Sequence, residues 1–84
     1  MKYTQHNLQK VEKILQESGY IIRYERGNFQ SGYCILEQKK VIILNKFLDI
    51  EGKINILSEL LPQLSIDPLL LSSEALHTFK EVIK

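Results

Sequence analysis

The residues able to carry nucleophilic or metal chemistry are few: one cysteine, Cys34, and two histidines, His6 and His77. A reactive thiolate needs a cationic neighbour or a helix N-terminus, together with solvent access. A Cys–His pair also needs the imidazole within hydrogen-bond reach and a third group to orient it. The chemistry open to this chain would therefore join Cys34 to His77, with Asn45 as the polar third member. The local sequence does not favour it. Cys34 lies in "GYCIL" with no charged neighbour, the setting of a small hydrophobic side chain packed in a sheet. His77 lies between Leu76 and Thr78 at the edge of an apolar stripe, and His6 lies in the first turn of a helix. Two isolated histidines and one cysteine do not form a metal-ligand pattern. No glycine-rich phosphate loop or G-x-S-x-G elbow is present. The expectation is no cofactor and no metal, and the residues point away from an enzyme. A thiol-dependent enzyme or small-ligand site built on Cys34 is the alternative.

The elements that must position these residues come from 84 residues, a length that holds one domain, residues 1–84, with a single core. One cysteine excludes an internal disulfide framework. With the polar start "MKYTQHNLQK", it points to the reducing cytoplasm. The apolar runs are too short to span a membrane. Charge is uneven: residues 1–46 carry eight Lys and Arg against four Glu, whereas residues 47–84 carry three Lys against six Asp and Glu. A net +4 spread over half a domain is weak beside a nucleic-acid footprint.

Helical spacing of Leu8, Val11, Ile14 and Leu15 predicts a helix over 4–18, with Thr4 as N-cap and Gly19 just past its end. Runs of β-branched and aromatic residues predict strands over 20–26, 29–37 and 40–45. Turns at Gly27-Asn28 and around Gln38-Lys39 separate them. Asp49 caps a helix over 50–61 that Pro62 ends. Asp67-Pro68 opens a short turn over 68–71, and Ser72 or Ser73 caps a helix over 73–83. The fold class is α+β: one N-terminal helix, a three-stranded antiparallel meander, and two or three C-terminal helices.

In that meander Arg26 faces Phe29, Ile22 faces Tyr33, Cys34 faces Ile43 and Ile35 faces Ile42. The two-residue period then sorts the side chains. One face carries Tyr20, Ile22, Tyr24, Tyr33, Ile35, Ile42 and Leu44. The other carries Ile21, Arg23, Glu25, Cys34, Leu36, Val41 and Ile43. Both faces are apolar enough to need cover, by helices on both sides or by helices on one and a second subunit on the other. The meander leaves "VIILN" as an undefended edge strand. Val41, Ile43 and Asn45, with Tyr20, Tyr24 and Tyr33, are therefore the interaction candidates. The expected partner is a second copy or another protein. The three tyrosines could stack bases, but no RNA-binding motif accompanies them, so nucleic-acid binding through the basic half is the weaker alternative.

Residues 27–61, "GNFQSGYCILEQKKVIILNKFLDIEGKINILSELL", resemble a pattern in small bacterial proteins without assigned activity. They share a G-x-F-x-x-G-x-C-x-L hairpin, a strand ending in Asn-Lys and a helix with "KINxL". The same order of hairpin, "I-x-L-N" strand, acidic connector and helix is similar to the approach to the H-E-x-x-H helix in zinc peptidases of the ImmA/IrrE type. Here that helix reads "SELLP". The resemblance implies Glu59 at the general-base position, with Ser58 and Pro62 at the two ligand positions. Neither can bind zinc, so it implies a related scaffold without peptidase activity.

Overall fold

In the computed structural model, which describes residues 1–27 and 33–83, the chain begins with a helix closed at both ends. This is α1 (Gln5–Glu17). The Asn7 N–H donates to Thr4 Oγ1 (3.1 Å). At the other end Gly19 takes φ 88°. Its N–H bonds the Gln16 carbonyl, and the Tyr20 N–H bonds the Leu15 carbonyl (2.9 Å). This is the double closure that a left-handed glycine permits. It turns the chain directly into β1 (Ile21–Glu25).

Two further strands follow, β2 (Tyr33–Leu36) and β3 (Val41–Asn45). A 3₁₀ turn over Glu37–Lys39 joins them, with Lys40 in the left-handed region at φ 52°. Then come α2 (Ile50–Leu60) and α3 (Ser73–Val82). Asp49 caps α2 by accepting the Gly52 N–H (2.7 Å). Pro62 sits in the 3₁₀ turn that ends it. Asp67 caps the 3₁₀ turn Pro68–Leu70, and Ser72 caps α3.

The class is α+β with three helices, but the sheet is not an antiparallel meander. Its order is β1-β3-β2, with β1 parallel to β3 and β2 antiparallel to it. The β2–β3 half of the expected register holds: Cys34 pairs with Ile43 and Ile35 with Ile42. The β1–β2 half does not, because Ile22 pairs with Ile42 rather than Tyr33. Strands β1 and β2 flank β3 and lie two spacings, about 10 Å, apart. A two-residue hairpin bridges only one spacing. The Gly27-Asn28 turn and the Arg26–Phe29 pair fall on Asn28 and Phe29, outside the described residues.

"VIILN" is thus the central strand, not an exposed edge. The physical reason lies in its composition. Four consecutive aliphatic residues are best buried in a central strand, where both edges are bonded and neighbouring strands flank the side chains. Val41, Ile42 and Leu44 are buried. The edges fall to β1, which carries Arg23 and Glu25, and to the four-residue β2, both less costly to leave unpaired.

All three helices lie on one side of the sheet. The core joins Leu8, Ile14 and Leu15 of α1 to Ile42 and Leu44 of β3, Leu57 of α2 and Phe79 of α3. Tyr20, Ile22, Tyr24, Tyr33 and Ile35 pack against it from the sheet. Helix α1 is the keystone, touching α2, α3 and β1. Its Glu17 carboxylate reaches the start of α3 and accepts from the Ser72 N–H (2.7 Å) and hydroxyl (3.0 Å).

Candidate interaction surface

The Cys34–His77 pairing does not form. Cys34 points to the sheet face opposite the helices, since its neighbours Tyr33 and Ile35 pack on the core. His77 lies on α3 in the helix layer, exposed, with Nε2 3.1 Å from Glu81. The sheet stands between the two. The cation nearest Cys34 along its row is Arg23, beyond the intervening Ile43. Its guanidinium is already engaged with Glu25 at 2.8 Å. Asn45 spends its side chain on the backbone, where Oδ1 accepts the Phe47 N–H (3.0 Å) and shapes the turn after β3. Among the described residues no group of three or more His, Cys, Asp or Glu could hold a metal ion.

The residues of "SELLP" are also dispersed. Ser58 is half-buried in a cleft of about 210 Å³ beside Met1, Tyr3 and Glu81. Glu59 and Pro62 face solvent.

Tyr20, Tyr24 and Tyr33 lie on the helix-covered face. Tyr24 has a definite structural task. Its hydroxyl donates to the Glu12 carboxylate of α1, and Lys53 of α2 sits 4.7 Å from the centre of its ring. Burial, then the bond to Glu12 and the negative charge there, push the phenol well above its ordinary pKa. Tyr24 is therefore a neutral donor tying β1 to two helices, not an acid or base for chemistry.

What remains uncovered is the other sheet face. The registers align its side chains in rows across the strands: Ile21, Val41 and Leu36, then Arg23, Ile43 and Cys34, then Glu25 and Asn45. The first row is wholly apolar, and its outer members are exposed, Ile21 by 57% and Leu36 by 44%. The second has one charge, and the third is polar. An antiparallel sheet with a solvated face normally alternates apolar and polar along each strand; β3 does not. Beside the β2 edge an open groove of about 460 Å³ runs along Ile35, Leu36 and the Glu37–Lys39 turn.

A second feature, which the sequence reading overlooked, lies where β1 and β3 end. The parallel pairing sets Glu25 beside Asn45, so Arg26 and Lys46 emerge together. The Lys46 N–H closes the ladder on the Glu25 carbonyl (3.0 Å). Both cations lie against Phe47: Arg26 Cζ is 5.8 Å and Lys46 Nζ 5.4 Å from the ring centre. Phe47 is 70% exposed. The adjacent pair Lys46-Phe47 was the only sequence signal for it; Arg26 could be added only with the strand order known.

No protein-family model matches the chain, and no curated protein or solved structure matches it.

Proposed function

We propose that this is a cytoplasmic, non-enzymatic interaction domain that works through protein contacts on its open sheet face, with a second copy of the chain as the partner. The observation that carries this reading is the apolar row Ile21–Val41–Leu36, exposed at Ile21 and Leu36 and buried at Val41, on a sheet whose helices all lie on the opposite side. Of the two reasons for expecting self-association, the undefended β3 edge falls away because β3 is central, and the sheet face left without helices still supports it. An apolar row can pack on its own symmetry mate, and the Arg23–Glu25 ion pair beside it leaves no net charge to oppose an isologous contact.

Size sets the strength of the contact. Three strands at about 4.8 Å spacing and five residues at about 3.3 Å give a footprint of roughly 240 Å². A stable interface needs about 800 Å² from each partner. The contact therefore belongs to the weak, reversible class. Among the described residues no helix is long and apolar enough to cross a membrane.

Sedimentation equilibrium from micromolar to millimolar protein tests the reading. The wild type self-associates at the upper end of that range, and Ile21→Glu abolishes this without unfolding the chain. A strictly monomeric wild type throughout would contradict it.

A further inference from the structure

We propose that Phe47, Arg26 and Lys46 form a binding site for a nucleotide unit, an aromatic base joined to a phosphate. The argument starts from the cost of what is exposed. Phe47 leaves 70% of its surface in water on the turn after β3. The core gains little from it, yet two cations are held against its ring, at 5.8 and 5.4 Å. Among the described residues neither cation has a carboxylate partner. The adjacent acids are committed elsewhere: Glu25 to Arg23 at 2.8 Å, and Asp49 to the Gly52 N–H that opens α2. An exposed aromatic ring with two cations over it, neither bound to a carboxylate among the described residues, is complementary to one chemistry above others. On a strand, a base stacks on the ring as the guanidinium and the ammonium leave it for the two phosphates that flank that base.

The backbone makes this arrangement firm. Arg26 and Lys46 each follow directly on paired strand residues, and the Lys46 N–H is itself bonded to β1 at 3.0 Å. The Phe47 N–H is held by Asn45 at 3.0 Å. The site is separate from the apolar row of the open face, so its variants leave that row unchanged. It also relocates the aromatic platform: Tyr20, Tyr24 and Tyr33 pack against the core, and Phe47 is the exposed ring.

Fluorescence anisotropy with a labelled oligothymidine and the full chain tests the site. Binding is expected at low salt and falls with a slope of about −1.4 in log K against log salt, the value for two neutralised phosphates on a single strand. Phe47→Ala should weaken it about tenfold, and Phe47→Tyr should restore it. Arg26→Gln or Lys46→Gln should each reduce the slope by about 0.7. Lys80→Gln, on the exposed side of α3, removes the same charge and should leave the slope unchanged. Thymidine monophosphate as competitor distinguishes the sources. Displacement at comparable concentration of nucleotide units identifies a free nucleotide as ligand, and no displacement identifies a strand. Absence of binding at low salt would overturn the proposal. So would binding that ignores Phe47→Ala, or that responds to Lys80→Gln as strongly as to Arg26→Gln.

Discussion

Replacing Ile42 by alanine tests the architecture where it differs most from the sequence expectation. Ile42 is the centre of the central strand, fully buried, flanked in register by Ile22 of β1 and Ile35 of β2. The substitution removes three carbons, worth about 2.4 kcal/mol of transfer free energy at roughly 0.8 kcal/mol each. The cavity left between sheet and α1 adds to this, giving a total of about 3 kcal/mol within the usual range of about 2–5. A chain of 84 residues has a total stability of about 4–13 kcal/mol, so one side chain carries a large share. In a domain of this size that corresponds to a loss of about 12–24 °C in Tm. Ile21→Ala is the matched control. Ile21 is 57% exposed, so the same change costs about 1 kcal/mol or less. Urea unfolding followed by circular dichroism measures both. Equal losses for the two variants, or a larger loss for Ile21→Ala, would refute the assignment of the open and covered faces.

Three other outcomes follow from the same geometry. A strand bonded on both sides leaves no amide free, so the N–H groups of Ile42, Ile43 and Leu44 should all exchange slowly in hydrogen-exchange NMR; alternating fast and slow amides would restore β3 to an edge. Cys34, partly exposed on the open face, should react with iodoacetamide in the folded protein, more slowly than in urea; a thiol that labels only on unfolding would place it in a closed core. The Ser72 N–H is the main reason the Glu17 carboxyl titrates below its ordinary value of 4.5, with the Ser72 hydroxyl and Lys13 adding to it and partial desolvation opposing. A lowered folded pKa gives stability that is full above pH 4.5 and is lost as pH falls through the folded value. The advantage of the wild type over Glu17→Gln, followed by thermal unfolding, should therefore be constant near neutrality and shrink in acid; an advantage that grew in acid would reverse the sign.

The side-chain faces of the sheet were legible in the sequence, because they depend only on the two-residue period within each strand. Ile22 and Tyr24 turn to the helices and Ile21 and Arg23 away, whichever strand lies beside them. Helix ends were legible for a similar reason. Thr4, Gly19 and Asp49 act within a few residues of their own positions. Strand order was not, since it rests on contacts between distant residues. Treating Gly27-Asn28 as a tight hairpin placed β2 next to β1 and pushed the most apolar strand to an edge. The charges on Arg23 and Glu25, against their absence from "VIIL", were the better guide to which strand sits in the middle. The Phe47 cluster was hidden by the same choice, because only the parallel β1–β3 pairing brings Arg26 to Lys46. Cys34 changed meaning as well: it is packed opposite Ile43, as its apolar neighbours indicated, but on the uncovered side of the sheet.

A dilution series followed by residue-resolved NMR tests the proposed function most directly. As protein concentration rises from micromolar to millimolar, the amide signals of Ile21, Arg23, Cys34, Leu36 and Ile43 should shift together along one binding curve, while those of the solvent side of α3 stay fixed. Signals that do not move with concentration, or that move on α3 and leave the open face unchanged, would contradict it.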